Sequence, residues 1–302
     1  MKEGTGISLI LGERGASEHL TSLNVPRSVD VSLTGRCQLR CAWCWGPKHN
    51  LKEPVVETQW RDLIIKLSTD GSEHIIFTGG EPLMSPMLPS MLRHAKEAGL
   101  RTTLSTNAIL LRQRQEVLQD VDDLGISIDG SGPTMNDMMR ERSARYDAWG
   151  KAVDGINFAQ SLGVPVTART VISRKNLHDV PNIPGALVTR GVDISKLRHK
   201  LYQVEPIGPH ATNIKFDDWA VTEEEATSAA LAVKERHPEL GVTLQLYRNT
   251  RGRYFQIDPL GNAYGTDLDM DQLPMMVHYG NIFTDYDGCI NNYQEYKRSL
   301  EE

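Results

Sequence analysis

Short runs of β-branched and apolar residues alternate along the chain with longer stretches whose apolar residues recur at helical spacing. This alternation is typical of parallel strands joined by crossover helices. The predicted strands cover residues 29–33, 74–78, 101–105, 124–128, 165–172 and 200–205. The predicted helices cover residues 57–67, 86–98, 112–118, 146–162 and 177–189, with Asn176 as the N-cap of the last. These β/α units predict a partial (β/α)6 TIM-like barrel, whose chemistry belongs at the carboxyl ends of its strands.

The pattern changes after about Asp217. A helix over residues 222–236, a strand over 242–247 and a turn at Gly261-Asn262 predict a small α+β extension. We therefore divide the chain into an N-terminal segment (1–28), a barrel (29–216) and a C-terminal extension (217–302) that covers the barrel mouth.

The first predicted strand leads into Cys37, Cys41 and Cys44, spaced as Cys-x3-Cys-x2-Cys. Three thiolates on one loop hold three irons of a cubane 4Fe-4S cluster and leave the fourth iron without a protein ligand. A structural zinc site is the alternative, but it needs a fourth ligand, for which Cys289 and His49 are the candidates. Four cysteines in 302 residues do not indicate a small disulfide scaffold.

This spacing, with Trp43 just before the third cysteine, resembles the signature of the radical S-adenosylmethionine (radical SAM) superfamily. The resemblance implies that the open iron chelates SAM and that the reduced cluster cleaves it to methionine and a 5′-deoxyadenosyl radical. It also implies a reducing electron donor such as flavodoxin or ferredoxin. Trp43 is expected to stack near the adenine, and a hydrophobic plug for the loop is the alternative role.

The second strand runs into Thr78-Gly79-Gly80-Glu81-Pro82. Two glycines at a strand end allow the backbone to approach a ligand closely, and the glutamate adds one charge there. The segment resembles the family's Gly-Gly-Glu motif, which implies that Gly79, Gly80 and Glu81 bind the amino group of SAM. Taken alone, the same residues form an ordinary tight βα turn.

Polar side chains also end the third and fourth strands. These segments resemble the family's ribose and carboxylate contacts, which implies that Ser105 and Asn107 face the ribose of SAM. Ser127 and Arg140 are expected at the methionine carboxylate, which suits the bidentate fork of a guanidinium. Capping or turn formation is the alternative for each of these residues.

The fifth and sixth strands carry the expected substrate contacts. Alternation along a strand places Arg198, Lys200 and Tyr202 on one face, and Arg169 lies on the neighbouring strand. The sixth strand resembles that of viperins, in which an arginine and a lysine two residues apart face a nucleoside triphosphate. Arg169 stands where viperins have an asparagine and Thr167 where they have a lysine, so a triphosphate is not the expected substrate. We expect a nucleoside, nucleotide or sugar instead. If Arg198 and Lys200 point outward, they are simply solvated.

The C-terminal extension has one cysteine, Cys289, and resembles a cysteine-poor remnant of the domain that holds auxiliary clusters in peptide-modifying radical SAM enzymes. A single cluster favours epimerisation, rearrangement, elimination or a redox-neutral cyclisation. Cys289 is then the candidate hydrogen-atom donor, with Tyr202 or Tyr286 as substitutes. An incidental buried cysteine is the alternative.

Three functions follow as hypotheses. The first is a radical SAM enzyme that tailors a small polar metabolite. The second is modification of a peptide without auxiliary clusters, although about 28 residues before the first strand are few for a recognition domain. The third is a non-catalytic metal-binding protein that retains the fold.

Composition narrows the partners. The net charge is −6 and no Lys/Arg-rich run is present, so a nucleic-acid polymer is not expected. No stretch of about eighteen apolar residues appears, so no membrane association is expected. The cysteines and an oxygen-sensitive cluster favour a reducing, cytoplasmic compartment.

Overall fold

The computed structural model describes residues 10–11, 25–48, 56–205, 207, 215–270 and 273–301. Its strands are β1 (Ile10–Leu11), β2 (Ser28–Ser32), β3 (His74–Thr78), β4 (Arg101–Thr106), β5 (Asp123–Ser127), β6 (Val166–Ile172), β7 (Leu197–Gln203), β8 (Gly241–Gln245), β9 (Gln256–Ile257), β10 (Asn262–Leu268) and β11 (Pro274–Asn281). Its α-helices are α1 (Glu57–Thr69), α2 (Leu88–Glu97), α3 (Pro133–Met139), α4 (Ala148–Ser161), α5 (Ile183–Thr189), α6 (Glu223–Arg236) and α7 (Tyr286–Ser299).

The described strands form one sheet in the order β1-β8-β7-β6-β5-β4-β3-β2-β9-β10-β11. Strands β2 to β7 pair in sequence and in parallel, which confirms the predicted α/β fold class and partial barrel. Beyond β2 the sheet continues into β9 and then into the antiparallel pair β10 and β11. The carboxyl end of β2 therefore lies between the barrel and the extension.

The sixth predicted strand begins earlier than expected, at Leu197. Its first residues include the polar run Arg198-His199-Lys200, which does not have the pattern of a buried strand. His199 is nevertheless buried, and its ring nitrogen lies 2.9 Å from Thr170 Oγ1 on β6. The strand predicted at 242–247 also differs in its partner. It is β8, which pairs in parallel with β7, so the parallel sheet continues beyond residue 217.

Two predicted helices take other forms. Residues 112–118 lie in a 3-10 helix with a kink at Arg114. The region 177–189 divides into a 3-10 turn at Val180–Asn182 and α5. Asn176 is therefore not an N-cap. Its buried amide instead donates to the carbonyl oxygens of Asp129 and Val171.

The two faces of the parallel sheet differ in polarity, and this difference locates the site. The face that packs against the helices is apolar and includes Val29, Val31, Ile75, Phe77, Leu104, Leu124, Ile126 and Ala168. The strand registers place polar residues on the opposite, inner face, among them Ser28, Asp30, His74, Thr103, Ser105, Arg169, Lys200 and Tyr202. Among the described helices, none has the length and apolar composition needed to cross a membrane.

Candidate active site

The cysteine loop follows β2, at the end of the sheet where a barrel carries its chemistry. None of its three thiols is in a disulfide, and Cys41 is buried. Backbone amides donate to two of the sulfurs: Leu39 N lies 3.4 Å from Cys37 Sγ and Gly46 N lies 3.3 Å from Cys44 Sγ. Hydrogen bonds of this kind stabilise thiolates and tune iron–sulfur clusters.

Burial dominates the electrostatics of these thiols. It raises the pKa of Cys37 to about 12 and also raises the pKa values of Cys41 and Cys44, while the charge of Arg140 lowers all three. Among the described residues, no three His, Cys, Asp or Glu side chains converge on one ion position. A cubane cluster does not require convergence on one point, because each thiolate binds a different iron. The donor set therefore fits a 4Fe-4S cluster.

The glycine turn after β3 supports the cysteine loop directly. Gly80 N donates to Thr34 O at 2.9 Å, and Glu81 N donates to Arg36 O at 2.7 Å. A Cβ on Gly80 would lie 2.3 Å from Arg36 O, and Gly79 has a φ of +123° with a Cβ position 2.6 Å from Thr34 O. The two glycines thus allow two backbones to meet, where the sequence had predicted close approach to a ligand.

Glu81 lies beneath this contact with 1% of its surface exposed. Its carboxylate accepts hydrogen bonds from Thr106 Oγ1 at 2.6 Å, Asn107 N at 2.8 Å and Leu83 N at 3.1 Å. Burial raises the pKa of Glu81 to about 7, against the opposing effect of these hydrogen bonds. The side-chain amide of Asn107 lies 3.8 Å from Cys37 Sγ, so β3, β4 and the cysteine loop meet at this point.

Arg140 forms a buried ion pair, with its Nε 2.6 Å from Asp129 Oδ2. Its guanidinium also lies 5.3 Å from the ring centroid of Trp43, whose indole N–H donates to Met139 O at 3.1 Å. The structure therefore brings Trp43 and Arg140 together beside the thiols. The sequence analysis missed Asp129 as the partner, because an aspartate in an Ile-Asp-Gly segment reads as a turn residue.

Arg169 extends from β6 across the inner face of the sheet. Its guanidinium passes over Gly125 and donates to Ser105 Oγ at 2.8 Å. Ser105, expected at the ribose, is thus bonded to Arg169. Ser127 is the register partner of Arg169 on the neighbouring strand β5.

Two tyrosines lie near the carboxyl end of β7. Lys200 Nζ is 4.9 Å from the ring centroid of Tyr202. Tyr254, which the sequence analysis missed, comes from the extension and stacks edge-on against Trp45 of the cysteine loop at 5.1 Å between centroids. Tyr254 precedes β9, whose Gln256 is the register partner of Asp30 on β2. The extension thereby reaches the polar inner face.

Two carboxylic acids complete this region, the half-buried Asp30 and the buried Glu205. Burial raises the pKa of Asp30 to about 6, while Arg169 and Lys200 lower it. Glu205 follows β7, is 9% exposed, and burial raises its pKa to about 8. The groups close enough to shift the pKa of Tyr254 are Tyr202, Glu205, Asp30 and Arg169. A single acidic residue in a strand or just after one gives no sequence signal, which is why Asp30 and Glu205 were missed.

Arg198 lies apart from this group. It is the second residue of β7 and pairs with Asp123, the first residue of β5, so it occupies the amino ends of the strands. Its side chain is 50% exposed. Arg198 and Lys200 share a face, as alternation predicts, but the structure does not bring Arg198 to the end that carries the cysteine loop.

Cys289 is also away from the cysteine loop. It lies in α7, is 1% exposed, and packs against Gly280, with its Sγ 3.0 Å from a Cβ placed on that glycine. The start of α7 contacts the carboxyl end of α1, where Tyr286 donates to Asp70 Oδ2 at 2.8 Å. Asp70 precedes β3 and therefore lies at the amino ends of the strands. The described contacts of Tyr286 thus place the start of α7, in which Cys289 lies, at the opposite ends of the strands from the cysteine loop.

The thiol loop and glycine turn agree with a direct family comparison. The family model described as "Radical SAM superfamily" matches residues 31–183. The chain belongs to the radical SAM superfamily. This membership implies a 4Fe-4S cluster and SAM as cofactors, in agreement with the donor set of the cysteine loop.

Curated relatives differ in what they act on. The chain is 34% identical over 157 residues to the Fe-coproporphyrin III synthase of Methanosarcina barkeri, covering 50% of the chain and 38% of the relative. It is 26% identical over 215 residues to the PqqA peptide cyclase of Bradyrhizobium diazoefficiens, covering 70% and 52%. It is 26% identical over 254 residues to an S-adenosylmethionine-dependent nucleotide dehydratase of Lacinutrix mariniflava, covering 79% and 51%. The chain spans about half the length, or less, of these relatives.

Solved structures support the fold. Streptococcus suis SuiB bound to its precursor peptide SuiA superposes with a TM-score of 0.64 at 12% identity, covering 81% of this chain and 61% of that one. Native anSMEcpe with bound AdoMet and the Cp18Cys peptide gives a TM-score of 0.66 at 13% identity, covering 90% and 82%.

Proposed function

We propose that this chain cleaves SAM reductively and directs the resulting radical to a peptide. The observation that carries the first part is the set of three free thiols held against the Gly79-Gly80 turn. The peptide part is supported by the likeness to PqqA peptide cyclase, SuiB and anSMEcpe. It replaces the small metabolite as the first hypothesis.

Cys37, Cys41 and Cys44 would each bind one iron of the cluster. When bound and reduced, the cluster supplies the electron that cleaves SAM into methionine and a 5′-deoxyadenosyl radical. The chain's own part is to hold SAM in place. We assign its amino group to the Gly79-Gly80-Glu81 turn and its carboxylate to Arg140 and Ser127.

Further roles follow from the contacts of each residue. Arg140 is held by Asp129, which fixes the guanidinium beside the thiols and Trp43. We keep Trp43 at the adenine and Asn107 at the ribose. Ser105 anchors Arg169, so its role is to position that cation. Trp45 and Tyr254 restrict access of water from the side of the extension.

A small anionic metabolite is the second candidate. The supporting observation is that Arg169 and Lys200 share the inner face near Tyr254, and a nucleotide dehydratase is among the relatives. Both cations would bind an anion by charge-assisted hydrogen bonds.

The test begins with reconstitution under nitrogen with iron and sulfide. We expect about four irons per chain, a 4Fe-4S signal after reduction and formation of 5′-deoxyadenosine from SAM. Peptide and nucleotide libraries are then incubated separately, and mass spectrometry detects modified products. Modified nucleotides with unmodified peptides would select the second candidate. Tightly bound zinc without SAM cleavage would reject both.

A further inference from the structure

A buried chain of hydrogen bonds runs from the glycine turn to the first cysteine of the loop. The carboxylate of Glu81 accepts from the hydroxyl of Thr106 at 2.6 Å and from the backbone N–H of Asn107 at 2.8 Å. The side-chain amide of Asn107 in turn donates to Cys37 Sγ at 3.8 Å. Glu81, Thr106 and Asn107 are all buried, so water competes little for these bonds.

A second hydrogen bond fixes the orientation of the Asn107 amide. Its Oδ1 accepts from the N–H of Ile109 at 3.0 Å, which forms an Asx turn across Ala108, whose φ is +64°. With the oxygen held in this turn, the NH2 group is directed to the cysteine loop. Its two hydrogens meet two acceptors there, Cys37 Sγ and the Oε1 of Gln38, the latter at 3.3 Å.

Cys37 thereby differs from Cys44 in the number of its donors. It accepts from the backbone N–H of Leu39 at 3.4 Å and from the side chain of Asn107. Among the described residues, Cys44 accepts only from the backbone N–H of Gly46. Hydrogen bonds to the sulfurs are among the factors that set the reduction potential of an iron–sulfur cluster. A side chain supplies one of them here, so a substitution can remove it without changing the loop.

We propose that Asn107 tunes the reduction potential of the cluster through Cys37, and that Glu81 is the positioning residue that holds Asn107 in place. This inference rests on the cluster part of the proposed function. One electron from an external reductant adds one negative charge to the cluster and its thiolates, and the amide N–H stabilises that charge. Loss of the amide should therefore make the potential more negative. The ribose contact assigned above to Asn107 would act on SAM affinity instead.

The potential is measured by spectroelectrochemical titration of reconstituted protein without SAM. Asn107→Ser removes the amide and keeps a hydroxyl that accepts from Ile109 in the same kind of turn, but it is too short to reach Cys37. We expect reduction to become about threefold less favourable, a part of the worth of one hydrogen bond, since the oxidised cluster also benefits from it. For a one-electron couple this factor is roughly 28 mV. Asn107→Ala should shift the potential in the same direction.

Two controls separate the lost donor from the substitution itself. Asn157→Ser removes an amide on α4 that donates to the carbonyl oxygen of Arg190 at 3.0 Å, and it should leave the potential unchanged. Gln38→Leu removes the acceptor that shares the Asn107 amide with Cys37. Since no donor to the thiolate is lost, the potential should not become more negative in this variant.

Glu81→Asp tests the positioning role without changing charge. The side chain is one methylene shorter, so its carboxylate cannot reach both Thr106 and Asn107 as Glu81 does. The potential should become more negative, as in Asn107→Ser. Combined with Asn107→Ser, the change should add nothing, because residues that act through one contact are not additive. Shifts that add would show that Glu81 acts by another route and would overturn its positioning role.

The remaining outcomes are also decisive. An unchanged potential in both Asn107 variants would overturn the proposal, as would a change in SAM affinity alone, which would mark a ribose contact only. Loss of iron from Asn107→Ser, with urea unfolding as in the wild type, would make Asn107 a requirement for the cluster and overturn the tuning role. Wild-type protein that does not bind about four irons would contradict the proposed function and this inference together. A four-iron cluster with no shift in the variants would contradict the inference alone.

Discussion

The guanidinium of Arg169 lies directly over Gly125, so closely that a Cβ on the glycine would come within 2.4 Å of the arginine Nε. A glycine inside a strand often marks such a close approach. Here the missing side chain lets Arg169 cross β5 and reach Ser105 on β4, at 2.8 Å. The position of one cation on the inner face therefore depends on a residue that bears no functional group.

Replacing Gly125 with Ala should displace Arg169 and break its bond to Ser105. We expect substrate affinity to fall about tenfold, as for the loss of a hydrogen bond to a charged group, while 5′-deoxyadenosine formation continues. The control is Gly132→Ala, since Gly132 has no atom within 4 Å of the added Cβ. Unchanged affinity in Gly125→Ala would show that the position of Arg169 does not matter for the substrate.

Lys200 and Arg198 should differ in their effects although they share one strand face. Lys200→Met should weaken substrate binding by about 1.5–3 kcal/mol. Arg198→Met removes a partner of Asp123 at the amino ends of the strands. Because the Arg198 side chain is half exposed, we expect this change to lower the free energy of unfolding by at most about 1 kcal/mol. Substrate titrations and urea unfolding measure the two quantities. A larger affinity loss in Arg198→Met than in Lys200→Met would reverse the assignment.

The four cysteines separate into two groups. Cys41→Ala should abolish both iron binding and SAM cleavage, because three thiolates are needed for three irons. Cys289→Ala should retain the iron, cleave SAM and form normal product, at a cost of about 1 kcal/mol in stability for the lost packing. Iron analysis, 5′-deoxyadenosine formation and product assays check this. Loss of product with intact SAM cleavage in Cys289→Ala would restore its expected role as hydrogen-atom donor.

Glu205 should make stability depend on pH. Burial raises its pKa from 4.5 to about 8 in the folded chain. Between these values the unfolded chain has released this proton and the folded chain has not, so stability falls as pH rises from 4.5 toward 8. Each unit of difference corresponds to about 1.4 kcal/mol. Urea unfolding of Glu205→Gln at pH 5 and at pH 8 should lack the part of the decline that Glu205 causes. An identical decline in both proteins would show that Glu205 ionises normally.

Much of the fold follows from local pattern. Alternating apolar runs predicted all six strands from β2 to β7, because a strand buried on its helix-facing side must carry apolar residues there. The thiols and the glycine turn could also be predicted from the sequence. Cluster ligands require cysteines close together in the chain, and a backbone with positive φ favours glycine. The polar start of β7 and the helices α3 and α7 were missed, because tertiary packing rather than local periodicity sets them.

The sequence by itself determined the thiol loop, the Gly-Gly-Glu turn and the family. Only the tertiary structure decided which polar residues share a site. Asp30, Tyr254 and Glu205 lie on separate elements, and no spacing in the sequence relates them. The tertiary structure also places Arg198 at the amino ends of the strands, where it pairs with Asp123, and buries Cys289 beside Gly280. The physical reason is that chemistry at a site depends on distance and burial, which strand pairing and helix packing establish between residues remote along the chain.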